Sequence, residues 1–386
     1  MKKRSLMDKI NEECKRSKQQ QQVIQKKMYG DGVAWLRGAL IGKGSFGSVF
    51  MAKLKNTNAN YTYSFYPSIM AVKSAEYSVS GSIQKEKQVL DNIRGCPNVI
   101  NCFGEEITTS VDGQMVYNLL MEYGSGGTLA GLIKKTNGKG LVEYDVRRYT
   151  RSIVRGLSHI HKKGYVHCDL KPDNVLLVQS FGRCGGLIAK IADLGLAKRA
   201  KQTVKKISSG PCWRGTPRYL SPEAVIQGVQ EQPADIWAVG CIVLEMLTGK
   251  PIWCSNQDLG MDDVLSRISD YNGLPYVSSS ISKEGRSFLK CCLSKRVMTR
   301  LTANMLLKHP FLKGLPDDDV DEFEESQQEV FDINTITSTS SSFDDSDDAY
   351  ESFPSSWSDG SSYGLSSSRF HEVQEFPVSL AVCKGV

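Results

Sequence analysis

The chain has 386 residues, room for two or three compact units at about 100–200 residues each. Its 40% hydrophobic and 23% charged residues exclude a wholly disordered or fibrous chain. The net charge of +6 hides an asymmetry: residues 316–386 carry 17 acidic and 2 basic side chains, while the preceding 315 residues carry 46 basic and 25 acidic ones.

Residues 1–34 read as a flexible basic arm, with a glutamine run at Gln19–Gln22 and too little apolar surface to offset the entropy of ordering. Its start lacks the apolar run of a signal peptide. Eleven cysteines without a C-x-x-C pair show no metal-finger spacing, so reduced thiols are expected. Near the end, Cys383 sits where a prenylation signal places its cysteine, but Lys384 and Gly385 are not the aliphatic pair such a signal wants. A cytoplasmic location is expected, with nuclear access if Lys2-Lys3-Arg4 and Lys15-Arg16 act as an address. No stretch reaches the ~18 apolar residues of a membrane span; the best, Ile236–Leu247, is short and broken by Glu245.

Short strands are expected at Ala39–Ile41, Val49–Leu54, Ile69–Val72 and Val116–Leu120, interrupted by a helix over Ile83–Ile93. From Leu129 onward helical patterns dominate, as in Val146–His161 and Ile236–Leu247. A mostly β piece followed by a mostly α piece implies an α+β fold of two lobes. The small lobe spans 35–121 and the large lobe 128–312, with 122–127, containing Gly124–Gly127, as the hinge. Residues 313–386 are acidic and Ser-rich without periodicity, and a disordered tail is expected there.

Ile41-Gly42-Lys43-Gly44-Ser45-Phe46-Gly47-Ser48-Val49 contains G-x-G-x-x-G-x-V. Glycines let backbone approach phosphates closely. A dinucleotide loop would run into a helix, whereas Val49-Phe50-Met51-Ala52 continues as strand. The pattern alone fits a plain glycine hairpin as well as one folded over a nucleotide. The polar, aromatic stretch Asn56–Pro67 reads as a long hairpin loop. Lys73 then closes an apolar strand. In the following helix Ile83, Glu86, Leu90 and Ile93 share one face. A carboxylate on an apolar stripe is costly unless paired, so Glu86, in preference to the nearer Glu76, is expected to pair with Lys73.

Val166-His167-Cys168-Asp169-Leu170-Lys171-Pro172-Asp173-Asn174 places a carboxylate, a lysine and an amide within six residues, and Lys190-Ile191-Ala192-Asp193-Leu194-Gly195 adds a second carboxylate. Hard oxygen ligands of this kind suit Mg²⁺ bound together with substrate phosphates.

Taken together and in this order, these motifs resemble the eukaryotic protein kinases over about Trp35 to Leu312. The resemblance implies a bilobal kinase fold with ATP and Mg²⁺. It makes Asp169 the group that accepts or orients the proton of the attacking hydroxyl, and Lys171 the cation that neutralises the transferred phosphoryl group. Asn174 and Asp193 would hold Mg²⁺, and the Lys73–Glu86 pair would position the α- and β-phosphates. Ile41 to Ser48 would cover the nucleotide. Val49, Ala71 and Leu176 would sandwich the adenine, with Met121 as gatekeeper and Glu122 and Gly124 bonding adenine through the hinge backbone.

Lys171 resembles the serine/threonine class, and Gly215-Thr216-Pro217-Arg218-Tyr219-Leu220-Ser221-Pro222-Glu223 resembles the family's substrate-docking loop and its terminator. Thr216 would contact Asp169, Glu223 would pair with Arg300, and Asp235 would bond the catalytic-loop backbone; Arg300 and Asp235 are read as scaffold. The set is similar to plant mitogen-activated protein kinase kinase kinases of the MEKK-like group, whose substrate is a MAP kinase kinase. Stress or hormone signalling is the context this implies.

The sequence departs from the family at Cys168, where an arginine usually grips a phosphate on the activation segment. Activity is therefore expected to depend little on phosphorylation at Thr203, Ser208 or Ser209. Asp-Leu-Gly and Ser-Pro-Glu replace the commoner Asp-Phe-Gly and Ala-Pro-Glu, and Phe181–Gly186 reads as a hairpin insertion without catalytic consequence. A pseudokinase scaffold is the rival reading, opposed by the complete set of chemical residues. Nucleic-acid binding is suggested by the basic body, but the charges are dispersed and no aromatic-interleaved motif accompanies them. The oligomeric state is not legible.

Overall fold

The computed structural model describes residues 29–44, 46–55, 66–180, 186–200, 213–253, 260–270 and 274–315. Ser45, the 56–65 part of the hairpin insertion, Thr203, Ser208, Ser209, the first 28 residues and the chain from 316 onward lie outside them.

Five antiparallel strands form the first sheet: β1 (Trp35–Gly44), β2 (Gly47–Leu54), β3 (Ile69–Glu76), β4 (Cys102–Thr109) and β5 (Met115–Met121). Their order is β1-β2-β3-β5-β4. Side chains alternate across the pleat. Met70, Val72 and Leu120 pack with Trp35 and Ala52 in a small cluster. Ala75, Leu119 and Met121 belong to the main core, which α1 (Gly81–Asn92) joins through Ile83, Val89 and Leu90. The register sets Val49 opposite Lys73 and Ala71 opposite Met121, so the residues expected around a nucleotide are neighbours.

The strands run longer than their apolar cores suggest, because main-chain pairing continues through polar residues. β4 was not among the expected strands. Its sequence, Cys-Phe-Gly-Glu-Glu-Ile-Thr-Thr, is half exposed, and it lies at the sheet edge where one face needs no apolar cover.

The larger lobe begins with β6 (Gly127–Thr128), α2 (Leu129–Lys135) and α3 (Glu143–Lys162). Acidic Glu143 and Asp145 open α3, and His159, His161 and Lys162 close it, as the helix dipole favours. The short strand β7 (Tyr165–Val166) leads to the catalytic loop, and β8 (Val175–Ser180) pairs with β9 (Gly186–Ile191). After β10 (Lys198–Arg199) come α4 (Pro222–Gln227), α5 (Gln232–Thr248), α6 (Met261–Ser269), α7 (Lys283–Cys292) and α8 (Ala303–Leu306).

Every α5 residue from Ala234 to Met246 is buried, as expected of a helix that is apolar nearly all round. It is the pillar of this lobe. A Cβ on Gly240 would lie 2.8 Å from the Cβ of Cys292, so α5 and α7 meet closely only at glycine. No helix among the described residues is long and apolar enough to cross a membrane.

Two boundaries shift from expectation. Residues 29–34, placed in the flexible arm, are fastened to the sheet: Thr108 donates to the Tyr29 carbonyl at 2.9 Å, and the Val33 N–H donates to Glu106 at 2.7 Å. Arg37, fully buried, donates to Gly30 O (2.8 Å), Ser74 Oγ (2.8 Å) and Asn118 Oδ1 (2.7 Å). At the other end, residues 313–315, placed in the tail, are held to α3 through the Lys313 and Leu315 carbonyls.

Candidate active site

The expected lysine–glutamate pair is present. Lys73 Nζ lies 2.6 Å from Glu86 Oε2 and 2.9 Å from Asp193 Oδ1. Burial pushes the Glu86 carboxyl up and the Lys73 charge opposes it. Its second oxygen accepts the Leu194 N–H at 3.2 Å, so both oxygens act as acceptors and the ionised form uses both bonds. For Lys73, burial works against the charge, but Glu86 and Asp193 outweigh it and raise its pKa. Burial also works against the Asp193 carboxylate, yet Lys73 holds it below the usual carboxylate range. One ammonium thus ties β3, α1 and the Asp-Leu-Gly turn together.

The catalytic loop forms a second group. Lys171 Nζ donates to Asp169 Oδ2 (2.9 Å) and to Thr216 Oγ1 (2.7 Å), and Thr216 donates to Asp169 Oδ1 (2.8 Å). Asn174 Nδ2 donates to the Asp169 carbonyl at 2.8 Å. The Ala192 N–H in turn donates to the Asn174 carbonyl at 2.9 Å, which fixes Asn174 beside Asp193.

The loop itself hangs from α5. Asp235 accepts the N–H groups of His167 (2.8 Å) and Cys168 (3.0 Å) and lies 2.9 Å from His161 Nε2. Burial alone would raise the Asp235 carboxyl, but His161 and the His167 contacts outweigh it and hold it low. His167 Nδ1 accepts the Asp169 N–H at 3.2 Å. Its proton therefore sits on Nε2, which donates to the Ala192 carbonyl at 3.2 Å and joins the two loops.

A divalent cation and a nucleotide fit these residues. Asn174 uses its amide nitrogen and Asp193 its Oδ1, so among the described residues Asn174 Oδ1 and Asp193 Oδ2 accept no hydrogen bond. Two oxygen ligands are too few for a closed protein site, and no cluster of three His, Cys, Asp or Glu that could hold a metal occurs among the described residues. That is the donor set expected when phosphates complete the shell.

The glycines divide by role. Gly47 has φ 146°, and a Cβ there would lie 2.5 Å from the Ser74 carbonyl, so the fold itself requires glycine. At Gly44 a Cβ would meet nothing within 4 Å, and at Gly42 only Val49 at ordinary contact distance. The fold has room for a side chain at these two positions, and their bareness leaves space over the hairpin.

Ala71 and Met121 are buried beside half-buried Val49 and Leu176. The hinge packs on Leu176, whose Cβ would lie 3.2 Å from a Cβ on Gly124. The Glu122 carbonyl and the Gly124 N–H make no backbone hydrogen bond among the described residues, as adenine recognition needs.

Lys43 and Ile41 are largely exposed and Phe46 is half-buried. The Ser48 side chain is buried on the pleat face opposite Val49, so its backbone is the part available to cover a nucleotide.

Sequence reasoning missed two parts of this site. The Glu122 side chain is held 2.8 Å from Lys190, which fixes the hinge to β9. Gln230 donates to the Arg214 carbonyl and accepts its N–H, both at 2.8 Å, clamping the docking loop. Neither pair is close in the chain, and no spacing rule links them. Glu223 and Arg300, which were expected to pair, form a buried bidentate bridge with two contacts of 2.6 Å.

These carboxylates, lysines and the amide gather where the β lobe meets the α lobe, the arrangement of a phosphotransferase. The protein kinase domain family matches residues 35–312, and the chain belongs to that family. It is a serine/threonine protein kinase that uses ATP with a divalent metal and acts on protein.

Among its relatives, mitogen-activated protein kinase kinase kinase 20 of Arabidopsis thaliana is 40% identical over 75% of this chain and 81% of its own length. Kinase kinase kinases 17 and 18 of the same plant are each 38% identical, over 73% and 72% of this chain and 70% and 77% of theirs.

Proposed function

We propose that this protein is a MAP kinase kinase kinase that phosphorylates serine or threonine in the activation segment of a MAP kinase kinase, using Mg²⁺ and ATP in the cytoplasm, with access to the nucleus. The observation that carries the catalytic part is the triangle of Asp169, Lys171 and Thr216 facing the Lys73–Glu86–Asp193 cluster. The substrate rests on the likeness to the plant kinases.

In this reading Lys73 grips the α- and β-phosphates, and Glu86 keeps its ammonium in place. Asp169 accepts the hydrogen bond of the incoming hydroxyl and takes its proton as the new O–P bond forms and the bond to ADP breaks. General-base help of this kind contributes about 10²–10⁴-fold. Lys171 places its charge where the transferred group gains it. Asn174 Oδ1 and Asp193 Oδ2 would hold Mg²⁺, which when bound supplies charge neutralisation for the phosphates.

The test is a panel of purified, catalytically dead MAP kinase kinases incubated with radiolabelled ATP, with Lys73→Met as blank. Label on activation-segment serine or threonine of at least one member, absent from the blank, is expected. Robust labelling of generic acceptors with none across a complete panel would place the kinase in another pathway.

A further inference from the structure

Ser221 stands at the start of α4, where a serine ordinarily turns its hydroxyl onto the first helical N–H groups. Here it makes no such cap, and the Ala224 and Val225 N–H groups bond the Ser221 carbonyl instead. The residue is 1% exposed, and its Oγ has no hydrogen-bond partner among the described residues. An unpaired buried hydroxyl costs more than an ordinary hydrogen bond returns, and native structures keep few of them. This hydroxyl is also what distinguishes Ser-Pro-Glu from the commoner Ala-Pro-Glu.

Ser221 lines a cavity of about 10 Å³ where three parts of the molecule meet. Cys168 and Leu170 come from the catalytic loop, Thr216 from the docking loop and Asp235 from α5, with Gln230 beside them. That volume is the size that admits a single water. Such a water needs two to four polar partners, and the lining has bonding capacity to spare. Asp235 Oδ1 accepts the Cys168 N–H, and a carboxylate oxygen can take a second bond. Gln230 Nε2 gives one hydrogen to the Arg214 carbonyl and carries another.

We propose that Ser221 holds one water in this cavity, shared with Asp235 and Gln230, and that this water ties the docking loop to α5 and the catalytic loop. Thr216 already joins the docking loop to Asp169 near one end. The water adds a tie at the other end, where the chain turns into α4. Ser221 is thus a positioning residue for the protein substrate. The inference rests on reading residues 215–223 as the substrate-docking loop. It needs no particular substrate, so its test uses a generic protein acceptor and stands apart from the identity of the physiological one.

The test compares the parent with Ser221→Ala, which restores the commoner residue and should fold. A crystal structure of the parent is expected to show an ordered water about 3 Å from both Ser221 Oγ and Asp235 Oδ1, lost in the Ala form. The Ala form should melt about 1–4 °C lower and raise KM for the acceptor about 2- to 10-fold, the value of one hydrogen bond, with KM for ATP unchanged. A parent structure without that water would overturn the proposal. So would an Ala form that melts at or above the parent, because removing an unpaired hydroxyl stabilises. An unchanged KM for the acceptor, or equal rises in both KM values, would overturn the positioning role.

Discussion

At Cys168 the chain keeps a left-handed backbone (φ 67°) without glycine, held by the N–H bond to Asp235. Such a conformation costs on the order of 1–3 kcal/mol and persists where surroundings impose it. Burial, with Asp235 nearby, pushes the thiol up to about 12 against the charges of Lys198 and Arg214. The thiolate is the reactive form, so Cys168 is inert near neutral pH. Iodoacetamide at pH 8 should leave Cys168 unmodified in the native protein and label it after denaturation; peptide mapping that finds it labelled in native protein would contradict this.

Glu86 is the second residue to test. Replacing it with Gln removes the charge that orients Lys73, an interaction worth about 1.5–3 kcal/mol, or roughly 10- to 100-fold. A fall of that order in kcat/KM for ATP is expected, and an unchanged value would remove Glu86 from the site. This pair was legible because a carboxylate on an apolar helix stripe demands a partner. Glu122 with Lys190 was not, since neither side chain interrupts an apolar pattern and 68 residues separate them.

At the scale of elements, the docking loop is set by its neighbours. Gly215 (φ 101°) packs so tightly that a Cβ would lie 2.4 Å from the Cys168 carbonyl, and Gln230 clamps Arg214 from the other side. These contacts hold the loop without the arginine that Cys168 replaces. Gln230→Ala should lower kcat/KM for a protein substrate by about 10-fold, the value of two neutral hydrogen bonds, while ATP affinity stays the same. Equal loss with and without protein substrate would show a general fault instead.

The Glu223–Arg300 bridge joins the start of α4 to the chain before α8, with Arg300 also donating to Pro233 O (3.0 Å) and Ser294 O (2.7 Å). Arg300→Ala leaves a buried carboxylate alone and should cost on the order of 3–5 kcal/mol in urea unfolding; a loss below about 1 kcal/mol would make the bridge ornamental. The periodicity of α3 and α5 showed both helices within a few residues. The edge strand β4 escaped because its half-exposed, glutamate-bearing sequence carries no clear alternation.

Over the whole molecule, the two-lobe division followed from the shift between period-2 and period-3.6 patterns, and the residues proposed as catalytic were picked out by motif order. What the chain did not show beforehand was the rest of the wiring: His167 joins the catalytic loop to Ala192 across 25 residues, and the ammonium of Lys73, expected to pair with Glu86, also reaches Asp193 across 120. Both contacts depend on tertiary placement. Arg37, buried beneath the 29–34 strap, belongs to the same class: nothing local marks a fully buried arginine.

The most direct measurement is single-turnover transfer of labelled phosphate from ATP by Asp169→Asn beside the parent. If Asp169 orients the acceptor and takes its proton, transfer should fall by about 10²–10⁴-fold, with nucleotide affinity within about threefold, since affinity differences below 1.4 kcal/mol lie under one decade. Transfer at the parent's rate would show that the acceptor meets the nucleotide somewhere other than at Asp169.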